Sequence, residues 1–126
     1  MENINLFVLL LILLQIKHFI CDYPLQNAFM LQKANKENWI LPLLLHSLVH
    51  SIGTFIVFLW LDLTFAIYFA IADLILHFIV DRLKASPNIG NRWGVDKPQF
   101  WWALGLDQMA HHLINIIFVY IFFTNA

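Results

Sequence analysis

Charge is what this sequence has least of. Only 12% of its 126 residues are Asp, Glu, Lys or Arg, about half the share of an ordinary soluble domain. In their place stand 61% hydrophobic and 16% aromatic residues, and the mean hydropathy is +0.74. A net charge of -1 excludes a nucleic-acid partner, because no basic face is large enough to neutralise many phosphates. Cys21 is the single cysteine, which excludes a disulfide framework and a cysteine-based zinc motif. Glutamate occurs only at Glu2 and Glu37, outside the expected helices, so a glutamate-based di-iron bundle is disfavoured. A basic leader is missing as well. The first apolar run, Ile4 to Ile16, follows Glu2 and is not succeeded by a small-x-small cleavage site. It is expected to be a retained helix rather than a signal peptide.

What is present is a set of four long apolar runs, at about Asn5–Cys21, Trp39–Leu61, Phe65–Leu83 and Phe100–Phe123. Each approaches the roughly 20 residues that cross a bilayer core. Pro24 follows the first and stops it, since proline disfavours helical geometry in the residue before it. Pro42 falls in the first turn of the second, where its missing N–H costs nothing. Asp62-Leu63-Thr64 is so short that the second and third segments must be antiparallel. Gln26–Asn38 and Lys84–Gln99 are the long polar connections. The expected fold is therefore all-α: an integral membrane four-helix bundle in a single domain over residues 1–126.

Orientation follows from the basic residues. Lys33, Lys36, Arg82, Lys84, Arg92 and Lys97 lie in or beside the first and third loops, which share one side of the membrane. Positive loops stay in the cytoplasm. This predicts a bacterial inner-membrane protein with both termini outside. Trp39, Trp93, Trp101 and Trp102 sit at the same boundary, where interfacial aromatics anchor helices. Lys33, Arg82 and Lys84 could also bind lipid phosphate, although most juxtamembrane basic residues only set topology.

Ionisable residues inside membrane helices are expensive and default to function. Here they recur with one spacing: His18-x-x-x-Asp22, His46-x-x-x-His50, His77-x-x-x-Asp81 and Asp107-x-x-x-His111. Residues four apart share a helical face. At 1.5 Å rise per residue, all eight fall within roughly 15 Å of the cytoplasmic boundary. Four helices thus place four polar pairs in one layer. The first and third pairs also repeat: His18-Phe-Ile-Cys-Asp22 and His77-Phe-Ile-Val-Asp81 differ only at the fourth position. Leu45-His46-x-x-x-His50 is matched more loosely by Leu106-Asp107-x-x-x-His111. Two parallel-topology hairpin repeats follow, about 4–61 and 63–124, related by an axis along the membrane normal with the site upon it.

Imidazole with carboxylate is the ligand set of zinc, and also of iron or manganese. Eight ligands exceed one tetrahedral ion. Either two ions bind, or some residues orient ligands and supply a base, for which Asp22 and Asp107 are the candidates. The first-choice ligands are His46, His50, His77 and Asp81, with His18, Asp22, Asp107 and His111 completing the set. Asp73, one turn from His77, could orient that ring. His112 points about 100° away from His111 and suits a supporting or surface role. Asn115 continues the Asp107–His111 stripe as a polar contact to substrate or helix. The plainer alternative is His–Asp hydrogen bonding that only joins helices. Such contacts contribute about 0.6–2 kcal/mol each, which apolar packing supplies more simply.

The run His18-x-x-x-Asp22-Tyr-Pro-Leu-Gln26, Leu45-His46-x-x-x-His50, His77-x-x-x-Asp81-x-x-Lys84 and Leu106-Asp107-Gln108-x-x-His111 resembles the bacterial and phage domain-of-unknown-function family 3307. That resemblance covers nearly the whole chain and implies a small membrane-embedded protein. A fainter similarity is to LexA-regulated inner-membrane metal-dependent hydrolases, through His46-x-x-x-His50-Ser51 and His77-x-x-x-Asp81; their Asp-x-Asp-His segment is missing here.

Two functional classes follow. One is a metal-dependent hydrolase at the cytoplasmic side, with membrane lipid as partner and a lipid-linked or phosphoester substrate. The other is a non-enzymatic metal-binding, ion- or proton-transporting or partner-binding membrane protein. A homo-oligomer is compatible with both.

Overall fold

The computed structural model describes Glu2–Asn125; Met1 and Ala126, the ends of the expected domain, lie outside the described residues. The described residues form helices α1 (Glu2–Asp22), α2 (Ala28–Leu31), α3 (Ile40–Leu59), α4 (Leu63–Ala85) and α5 (Pro98–Asn125), with a 3-10 turn at Gln32–Ala34. Among the described residues there is no strand. Helices α1, α3, α4 and α5 are long and apolar enough to cross a membrane, and this is an integral membrane protein of all-α architecture.

Local chemistry accounts for the helix ends. Asp62 caps α4, its side chain accepting from the Phe65 N–H at 3.0 Å. Helix α5 starts on Pro98, whose lost N–H is one of the unpaired donors of a first turn anyway. Helix α1 begins at Glu2, earlier than expected, so Glu2 stands in a helix rather than before one. The first long connection is not featureless. Asn27 accepts from the Met30 N–H at 2.9 Å and nucleates α2, which buries Met30. That cap lies in a polar stretch with no apolar period, so periodicity passed over it. After α4 the chain folds back: the Gly90 N–H donates to the Leu83 carbonyl at 2.9 Å. A Cβ at Gly90 would lie 2.5 Å from both Lys84 Cα and its carbonyl oxygen, so this return needs glycine.

The interior changes character along the bundle. At the end away from the long connections, Leu10, Leu14, Phe58, Ala66, Phe69, Phe118, Val119 and Phe122 form one apolar cluster. Phe69 packs edge-to-face on Phe58 at 4.7 Å and stacks on Phe118 at 4.8 Å, geometries that aromatic quadrupoles favour. At the other end the interior is imidazole and carboxylate: His18, His46, His50, His77, Asp81, Asp107 and His111 are all buried. The outer face is apolar instead, with Ile56 60% and Leu106 61% exposed. Polar inside and apolar outside is the distribution that a lipid solvent selects.

Candidate metal centre

The site is assembled at one depth by four helices. Each i, i+4 pair turns inward because the opposite faces of its helix carry the Leu, Ile and Phe that lipid requires. Helix α1 delivers His18 and Asp22, α3 delivers His46 and His50, α4 delivers His77 and Asp81, and α5 delivers Asp107 and His111.

Their ligand atoms gather into two groups that share His77. Asp22, His46, His50 and His77 offer atoms within 4.8 Å of one another, and so do His77, Asp81 and His111. Asp22 stands with His46, His50 and His77, while Asp81, of the expected first-choice set, groups with His77 and His111 and lies 3.6 Å from His46 Nε2. The His50 Nε2–H donates to Asp22 Oδ1 at 2.8 Å, and His46 Nε2 lies 3.3 Å from the same oxygen. The rings of His50, His77 and His111 form a stack, with centroids 3.9 and 4.0 Å apart.

The two remaining candidates stand beside these groups rather than in them. His18 Nε2 lies 3.0 Å from Asp22 Oδ2 and 2.8 Å from Gln108 Oε1. Gln108 Nε2 in turn donates to Asp107 Oδ2 at 3.0 Å. With its carbonyl accepting from His18 and its amide donating to Asp107, Gln108 ties α1 to the start of α5.

Six buried imidazole nitrogens have no hydrogen-bond partner: the Nδ1 atoms of His46, His50 and His112, and, within the two groups, the Nε2 atoms of His46, His77 and His111. His46 and His111 do have carboxylate oxygens nearby, at 3.3 and 3.2 Å, but form no hydrogen bond to them. Leaving a buried polar atom unpaired costs about 1–3 kcal/mol. Three such Nε2 atoms in one layer, from three helices and beside three carboxylates, is the arrangement a cation would satisfy. The donor set of neutral imidazoles and carboxylates fits zinc, iron or manganese. The groups at this site could hold a metal ion.

Charged side chains that the sequence left in the background also enter the site. Lys33, on the 3-10 turn, is buried, and its ammonium donates to Asp81 Oδ2 at 2.7 Å. Arg82 donates to the Lys33 carbonyl at 2.8 Å and lies 3.8 Å over the Trp39 ring, which fixes the turn that carries Lys33. Lys17, on α1, is a further charged residue that the i, i+4 pattern does not reach. It is buried, and pairs with Asp73 Oδ2 at 3.1 Å, while the Thr54 hydroxyl donates to the same oxygen at 2.6 Å. Asp73 therefore does not orient His77; its bonds go to α1 and α3. The signal was available, since a lysine within an apolar run one turn before Cys21 needs a buried partner. His112 packs edge-on against His18 at 4.9 Å, and Asn115 is buried below His111.

Beside the two groups lies a polar cavity of about 170 Å³, lined by Asp22, Gln26, Lys33, Asp81, Lys84, Asp107 and Gln108 among others. It reaches the two groups through their carboxylates, Asp22 and Asp81, and no histidine lines it.

The family model described as Protein of unknown function (DUF3307) covers residues 9–126. No curated protein and no solved structure matches the chain.

Proposed function

We propose that this chain, which belongs to the DUF3307 family of proteins of unknown function, is a metal-dependent membrane hydrolase acting on a lipid-linked or membrane-proximal substrate at the cytoplasmic side. The observation that carries the reading is the convergence of unpartnered imidazole nitrogens on carboxylates beside a polar cavity. His46, His50, His77 and Asp22 would hold one ion; Asp81 and His111 would either take His77 as their third ligand in its place or hold a second ion without it. Zinc suits the set best, with iron or manganese as alternatives. A bound divalent ion would supply a Lewis acid and an activated water.

The protein's own groups then have distinct tasks. Asp107 and Asp22 both line the cavity, but Asp22 is already engaged by His18 and His50. Asp107 Oδ1 has no hydrogen-bond partner, which makes it the freer general base. Gln108 positions it through the other oxygen. The cytoplasmic assignment rests on Lys33, Lys36, Arg82, Lys84, Arg92 and Lys97, all at the end that holds the site. The repeated His-Phe-Ile-x-Asp of α1 and α4 supports two hairpin repeats meeting at this centre.

One further feature favours chemistry over transport. Beyond Lys17, Asp73 and Thr54 the interior passes to Phe58, Phe69 and Phe118. A proton or ion path would need polar groups there.

The hypothesis is tested by turnover. Protein in mild detergent, supplied with phospholipid and acyl-ester substrates in mixed micelles, should release phosphate or fatty acid. Chelation should stop the reaction and added metal restore it. Asp107→Asn should lower the rate by about 10²–10⁴ with bound metal retained. Metal-loaded protein that turns over neither substrate class, or an Asp107→Asn variant as fast as wild type, would contradict the assignment.

A further inference from the structure

The hydrolase reading leaves the substrate class open, and three features of the cytoplasmic end narrow it. The first is a groove of about 410 Å³ between α4 and α5, within the size range of ligand sites. It is walled by apolar side chains such as Val80, Leu83 and Ala110, and its rim opens to the lipid face, where Leu83 and Leu106 are exposed. Lys84 and Asp107 line both this groove and the polar cavity beside the histidines. Those two residues are therefore walls of both spaces. A second apolar groove, about 460 Å³ between α1 and α3, shares no lining residue with the polar cavity.

The second feature is the state of the cations at this end. Lys33 is committed to Asp81, and Arg82 to backbone carbonyls and the Trp39 ring. Lys84 lies half-buried in the wall of groove and cavity, and no carboxylate among the described residues is within ion-pairing distance of it. Lining both spaces, Lys84 has the apolar stem and charged head that such a boundary suits.

The third is the charge balance. The polar cavity is lined by two lysines against Asp22, Asp81 and Asp107, a formal sum of -1. One divalent ion reverses that sign, and a second makes the cavity strongly positive.

We infer that the site takes a lipid bearing a phosphate headgroup, which enters sideways from the cytoplasmic leaflet between α4 and α5, lays an acyl chain in that groove and is held by its phosphate at Lys84. The inference rests on the proposed function for what happens next, but binding itself requires no turnover. Free phosphate has the same headgroup chemistry and no use for the groove, so the groove selects the lipid.

The test is native mass spectrometry of the full chain as purified in mild detergent without chelator, with phosphatidic acid, phosphatidylcholine and inorganic phosphate as separate probes. Wild type should retain phosphatidic acid in preference to phosphatidylcholine, and inorganic phosphate weakly. Lys84→Gln should weaken phosphatidic acid binding about tenfold, and Lys84→Arg should restore it. Ala110→Phe, which fills the α4–α5 groove, should abolish retention, whereas Ile52→Phe in the α1–α3 groove should not. Retention unchanged by Lys84→Gln, or lost with Ile52→Phe and kept with Ala110→Phe, would overturn the proposal. Inorganic phosphate bound as tightly as the lipid would do the same. Lipid retained by this pattern in a protein without hydrolysis would remove the hydrolase and leave the lipid site; hydrolysis unaffected by these variants would do the reverse.

Discussion

His50→Ala protein, purified without chelator, should emerge with almost no bound metal. His50 is fully buried, donates to Asp22 and stacks on His77 at 3.9 Å, so its loss opens a hole in the middle of one ligand group. Removing even a residue that merely orients a ligand typically costs 10–100-fold in metal affinity, and a direct ligand should cost at least the upper figure. Metal per protein, measured by elemental mass spectrometry, should fall from stoichiometric to near background. His112→Ala, which alters a ring outside both groups, should keep its metal. Stoichiometric metal in His50→Ala would remove His50 from the ligand set.

The second large effect concerns stability. Lys17 and Asp73 are buried at 3.1 Å inside the bundle, with Thr54 completing the contact. Replacing one partner leaves the other charge uncompensated in a low-dielectric interior, which costs about 3–5 kcal/mol. Lys17→Met should therefore lower the thermal midpoint in detergent sharply. Lys17→Met combined with Asp73→Leu should recover most of the loss, because two apolar residues can replace a buried pair at little cost. Equal destabilisation in the double variant would mean that the two residues act separately.

Why the sequence yielded some of this and not the rest is a matter of range. The four spans follow from run length and hydropathy alone, and the i, i+4 pairs from helical period, so the depth and facing of all eight candidates could be read directly. Period says nothing about how far apart two helices stand or how each is rotated. Hence the grouping of Asp22 with His46, His50 and His77 was not legible, nor was that of Asp81 with His77 and His111. The contacts of Lys33 with Asp81 and Lys17 with Asp73 join residues far apart in the chain. Neither is written in local spacing. Lys33 in particular depends on an Asn27 cap and the short turn after it, which fold a connection that polarity alone presents as a loop. Asp73 shows the limit from the other side: its position one turn from His77 suggested a bond to that ring, yet the nearest donors were on α1 and α3.

The central claim is that the histidine and carboxylate layer holds metal, and elemental mass spectrometry on wild-type protein tests it most directly. Protein extracted in mild detergent without chelator should carry one or two equivalents of zinc, iron or manganese. Protein that contains no metal, and takes up none when the ions are added back, would contradict the claim and leave hydrogen bonding between helices as the role of these residues.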